Sequence, residues 1–102
     1  MLFALVATAS FACPTQDGGV PLTGVTIYDG PLAEMASLVP ERRRRYRGAT
    51  ISRWPVAYVY RAKRQIYLAC DYKRRQVVVR VARPVSTCRY TERGPLRTAG
   101  CR

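Results

Sequence analysis

The sequence predicts an α+β fold, mainly β: a small antiparallel sheet of about four or five strands with one short helix, tied by disulfides. Three observations predict it. Two adjoining runs alternate with period two: residues 65–72 (QIYLACDY) put Ile66, Leu68, Cys70 and Tyr72 on one face, and residues 76–83 put Val77, Val79 and Val81 on one face. A single D-G-P step is followed by Leu32, Met35, Ala36 and Val39 at helical spacing. The chain has 102 residues and four cysteines, enough for one small core that disulfides would strengthen by a few kcal/mol.

In order along the chain, residues 1–12 (MLFALVATASFA) are uncharged and mostly apolar. They are too short to span a bilayer, which takes about 20 residues. They read as a signal-peptide remnant, cleaved after Ala12, although no charged leader precedes them; a buried strand or helix is the rival reading. Residues 13–23 read as a loop or arm, and residues 24–102 as a single small β-rich domain. Residues 24–28 (GVTIY) form a β-branched strand. Asp29, Gly30 and Pro31 open the helix, with Pro31 at its first position and Asp29 and Glu34 near its positive end. Pro40 stops it. Residues 41–48 (ERRRRYRG) form a charged loop. Residues 49–60 are strand-like, with Pro55 marking an edge, bulge or break. Residues 62–64 turn into the hairpin, whose own turn is Lys73, Arg74 and Arg75. A strand around 86–92 and a tail to Arg102 complete the chain.

The charge is polarised. Eighteen Lys and Arg against six Asp and Glu give +12, yet residues 1–41 hold four acids and no base. All eighteen bases lie in residues 42–102, with only Asp71 and Glu92 opposing them. Such asymmetry points to a polyanion or acidic partner, and equally fits an Arg-rich composition that only solubilises the domain. The polyanion-binding candidates are Arg42, Arg43, Arg44, Arg45, Arg47, Arg61, Lys63, Arg64, Lys73, Arg74 and Arg75. The turns at 61–64 and 73–75 would converge if both lay at one end of the sheet. Tyr46, Trp54 and Tyr67 are the aromatic contact candidates interleaved with them.

There is no histidine, which removes the commonest general base and metal ligand. Cys13, Cys70, Cys88 and Cys101 are spaced by 57, 18 and 13 residues without a C-x-x-C pair, so neither zinc nor another cofactor is expected. They are the disulfide candidates, with three pairings open; Cys70–Cys88 with Cys13–Cys101 is preferred, since it ties consecutive strands and then the termini. Lipidation of Cys13 would leave an odd thiol, so soluble export ranks first. Asp71 beside Tyr72 is the one carboxylate that invites a catalytic reading, and no recognisable constellation surrounds it.

Residues 24–41 (GVTIYDGPLAEMASLVPE), with WP (54–55), YLACDY (67–72), RPVSTC (83–88) and Cys13-Pro14, resemble an uncharacterised family of small exported bacterial proteins marked by a D-G-P-x-x-E-M-A-S-L-V-P motif. The resemblance implies export and a compact cystine-containing β domain, and it brings no catalytic residue. The combined expectation is a non-enzymatic periplasmic or secreted binding domain that recognises an anionic envelope component or acidic protein through its basic loops. The alternative is a periplasmic inhibitor or immunity-type partner of a secreted enzyme. Nucleic-acid binding enters if residues 1–12 are not a signal.

Overall fold

The computed structural model of the chain describes residues 11–102. Its strands are β1 (Phe11–Ala12), β2 (Gln16–Asp17), β3 (Val20–Pro21), β4 (Gly24–Asp29), β5 (Ser37–Leu38), β6 (Arg42–Tyr46) and β7 (Ala49–Pro55). Helix α1 (Ala57–Arg61) follows, then β8 (Ile66–Tyr72), β9 (Arg75–Val81), β10 (Thr87–Arg93) and β11 (Leu96–Cys101). Two antiparallel sheets carry the fold: a five-stranded sheet ordered β1-β11-β10-β7-β6 and a four-stranded sheet ordered β5-β4-β8-β9. Strands β2 and β3 make a separate small ribbon. The mainly β, two-cystine architecture is the one the sequence predicts.

One apolar core draws on both sheets. Trp54, Cys88 and Ala99 enter it from the five-stranded sheet; Ile27, Ile66, Leu68, Tyr72 and Val81 enter from the four-stranded one. The 65–83 hairpin forms as its alternation dictates, with Leu68 opposite Val79 and Cys70 opposite Val77. Burying both apolar stripes contributes roughly 1.5–3 kcal/mol per large side chain. Polar ties reinforce the contact. Trp54 Nε1 donates to Leu38 O at 3.2 Å, Tyr60 Oη donates to Val81 O at 2.8 Å, and Tyr72 Oη donates to Pro14 O at 2.5 Å.

Four local expectations are corrected. The 31–39 helix is absent: Leu32–Glu34 form a single 3-10 turn, Met35 takes φ 55°, and β5 folds back on β4. Met35 and Val39 are exposed, so the apolar stripe has nothing to pack against. A short helix without a buried face is unstable, whereas β5 gains backbone partners and half-buries Leu38. The helix instead follows Pro55, where the strand must end, and buries Val59.

The charged loop at 41–48 is strand β6, closed onto β7 by Arg47 and Gly48, both at positive φ, the two-residue turn that matches strand twist. The tail is strand β11, paired with β10.

The preferred disulfide pairing is also overturned: the bonds are Cys13–Cys70 and Cys88–Cys101. The β10–β11 register sets Cys88 directly opposite Cys101, with Cα atoms 4.0 Å apart. Cys70 lies in the other sheet, within reach of Cys13, whose backbone N–H is held by Ala99 O at 2.9 Å. One bond therefore staples a hairpin and the other joins the two sheets.

The signal-remnant reading concerns residues 1–10, which lie outside the described residues, and Phe11 and Ala12, which pair with Cys101 and Gly100 as the edge strand β1. A Cβ at Gly100 would sit 2.9 Å from Phe11 O, so this close approach needs glycine there.

Candidate interaction face

Strand alternation divides the five-stranded sheet into two faces. Ser52, Trp54 and Cys88 point into the core and are buried. The residues between them point outward. Register then sets Arg42 opposite Arg53, Arg53 opposite Arg89, and Arg89 opposite Gly100. Three exposed arginines from three adjacent strands thus stand in one cross-strand row. The next row is Arg44, Ile51, Thr91 and Thr98, and the one beyond is Tyr46, Ala49, Arg93 and Leu96.

Five arginines share this outer face, and none of its strand positions carries a carboxylate. Glu92, the only acid in the five-stranded sheet, falls on the inner side, opposite Thr50 and Arg97. An open groove of about 560 Å³ runs over the face, lined by Arg53, Arg89, Thr87, Thr91, Thr98 and Gly100 among others. Its chemistry is that of an anion acceptor: guanidinium forks flanked by hydroxyls. At the β6 end the Tyr46 ring lies 5.6 Å from the Arg44 guanidinium and 5.4 Å from that of Arg47, a cation–π cluster on an exposed edge strand.

The remaining basic candidates are scattered. Arg43 and Arg45 point to the other side of β6, and Arg43 reaches Glu92 only at 3.9 Å. Arg61, Lys63 and Arg64 precede β8, while Lys73, Arg74 and Arg75 follow its far end. A seven-residue strand separates them by about 20 Å, so these two turns do not converge.

Arg64 belongs to the frame. Its Nε donates to Asp29 Oδ1 at 2.8 Å, and its Nη2 donates to Asp29 O at 3.1 Å and to Glu34 Oε1. These contacts, the Asp29 hydrogen bond foremost, hold the guanidinium pKa above its ordinary value. The clamp lies over Gly30, whose φ of 91° suits glycine alone. Trp54 is buried and packs in the core, whereas Tyr46 is exposed and Tyr67 half-buried on the outer face of the four-stranded sheet.

Arg53 and Arg89 escaped the sequence reading because each is a lone base within a strand. Their partnership with Arg42 is one of register, visible only once β7 is paired on both sides. The usable signal was alternation: Arg53 lies between the apolar-side residues Ser52 and Trp54.

Five of the six side-chain carboxylates have structural partners, Asp29 and Glu34 through Arg64. Asp17 pairs with Arg75 at 3.1 Å, Glu92 with Arg97 at 3.2 Å, and Asp71 accepts from Gln76 Nε2 at 2.9 Å. Among the described residues no group of three His, Cys, Asp or Glu could hold a metal ion, and none of their helices is long and apolar enough to cross a membrane. Burial, the largest influence, raises the pKa of the Tyr60, Tyr72 and Tyr90 hydroxyls, with Glu92 adding to the effect at Tyr90.

Fold and face together define a class: a small two-sheet, two-cystine β protein whose most distinctive surface is a cationic sheet face. Its family is specific. The chain belongs to the type VI secretion system Tli immunity protein family, whose model matches residues 15–102. No curated protein and no solved structure matches the chain.

Proposed function

We propose that this chain is an immunity protein that binds an effector of a type VI secretion system and neutralises it by occlusion, in the periplasm and without chemistry of its own. The observation that carries the reading is the family match over residues 15–102. Two disulfides support a periplasmic site of action, because such bonds persist in oxidising compartments. The engaged carboxylates support a binding role over a catalytic one. This reading displaces recognition of an anionic envelope component by basic loops, since those loops do not come together.

The test is co-production. Cells making a periplasmic effector of the same secretion system should survive when this chain is exported with it, and the two proteins should co-purify at high salt. Equal killing with and without the chain would overturn the reading. Intact mass of the exported protein reads the processing step at the same time. Cleavage after Ala12 would leave residues 13–102 and would remove β1.

A further inference from the structure

We propose that the outer face of the five-stranded sheet, centred on the row Arg42–Arg53–Arg89, is the surface that receives the effector, and that it takes a cluster of carboxylates on that protein. The proposal rests on the immunity reading for the identity of the partner, and on geometry for the location.

The row is costly where it stands. Like charges directly opposite one another across strands destabilise a sheet, and here two such pairs share Arg53. Among the described residues no ion pair reaches any of the three. None of the six side-chain carboxylates forms an ion pair with the row: five have partners elsewhere, and the exposed Glu41, next to Arg42, is tied to Arg53 only through its backbone N–H, which donates to Arg53 O at 2.9 Å. A counter-charge from a partner would complete it.

The spacing suits protein carboxylates. Adjacent strands lie about 4.8 Å apart, so the row presents three guanidinium groups over roughly 10 Å. Acidic residues one helical turn apart are about 5–6 Å apart, a close match. Thr91 and Thr98 add hydroxyls on the groove floor. Gly100 places no side chain beside Arg89, and the small Ala12 of β1 follows it at the end of the row. Arg44 and Tyr46 extend the surface along β6, which among the described residues is an edge strand of the sheet.

The experiment uses the full chain and two charge-matched double variants, R53E/R89E on the face and R74E/R80E on the four-stranded sheet and its turn. Thermal melts verify folding, and R53T/R89T replaces the face variant should the reversal fail to fold. The first probe is fluorescein-labelled poly-L-glutamate, followed by anisotropy at about 50 mM salt. Wild type should bind it, R53E/R89E should lose about tenfold or more in affinity, and R74E/R80E should stay within about threefold, the loss expected from net charge alone. Equal losses in the two variants would overturn the proposal. So would tighter binding to phosphatidylglycerol vesicles than to poly-L-glutamate, which would assign the face to a membrane.

The second probe is the effector itself, in the survival assay. Loss of protection by R53E/R89E with retention by R74E/R80E is the expected result. Protection by both variants would overturn the docking face and leave the immunity reading standing. Failure of wild type to protect would overturn the immunity reading, while the poly-L-glutamate arm would still report on the face.

Discussion

Arg64 and Arg75, at the margins of the four-stranded sheet, are each bound by carboxylates of their own chain. Arg42, Arg53 and Arg89, on the outer face of the five-stranded sheet, stand opposite one another. The residue type is the same and the roles differ. At the margins the Arg64 guanidinium joins β4, the 3-10 turn and the approach to β8, with its Nε and Nη2 both engaged. On the face the forks are left for a partner. What separates a structural arginine from a recognition arginine here is whether an acid of the same chain pairs with it, and a count of basic residues does not reveal that.

The largest effects should come from breaking the frame that carries both regions. Replacing Cys13 and Cys70 with alanine opens a link of sequence separation 57, against 13 for Cys88 and Cys101. Loop-closure entropy assigns these about 4 and about 3 kcal/mol respectively. Urea unfolding of the two double variants should show the first pair costing more; the reverse order would mean that strand pairing around Cys88 outweighs chain entropy.

A smaller and more direct test sets the two kinds of arginine side by side. Arg64→Ala should lower Tm, because it releases Asp29, Glu34 and the backbone of Asp29 together. Arg53→Thr should raise Tm slightly, since it removes the middle of a like-charge row and places a good strand former there, a gain on the order of 0.2–1 kcal/mol. Protection against the effector should fall in the Arg53 variant although the fold is firmer. If Arg53→Thr cost as much stability as Arg64→Ala, the distinction between the two regions would be wrong.

The smallest effect is with pH. With no histidine, no side chain has its ordinary titration near neutrality, so Tm should be nearly flat between about pH 6 and 9. Tyr60, Tyr72 and Tyr90 have pKa values raised above 10.0 by burial. The neutral hydroxyl is therefore favoured in the folded state. Its contribution is complete below pH 10 and is lost as pH rises through the folded values, because the unfolded chain ionises first. A melt series should bend downward only above about pH 10. A marked fall between pH 6 and 8 would point to a titrating group that this picture omits.

The parts of the fold legible in the sequence are those with a strong local pattern. The β8–β9 hairpin is the clearest case, since seven alternating residues on each side leave one way to bury Leu68 and Val79 together. Strand β4 was legible for the same reason. The 31–39 helix was misread because a helical spacing of Leu32, Met35 and Val39 is a necessary feature of an amphipathic helix and not a sufficient one. The missing ingredient was a surface to pack on, and β4 offered an edge for β5 instead. The Arg run was misread because charge resembles a loop, while the deciding signal was the two-residue turn at Arg47 and Gly48.

What the sequence by itself determined was the class and the sign: one small β-rich domain, two cystines and a strong positive charge concentrated after residue 41. These follow from composition and period, which need no knowledge of partners along the chain. The tertiary structure alone decided which thiols join and which arginines gather. Cys88 meets Cys101, and Arg53 meets Arg42 and Arg89, through hydrogen-bond register between strands distant in sequence. Register is a global property: it depends on every strand finding its neighbour, and a one-residue slip would move each of these arginines to the opposite face.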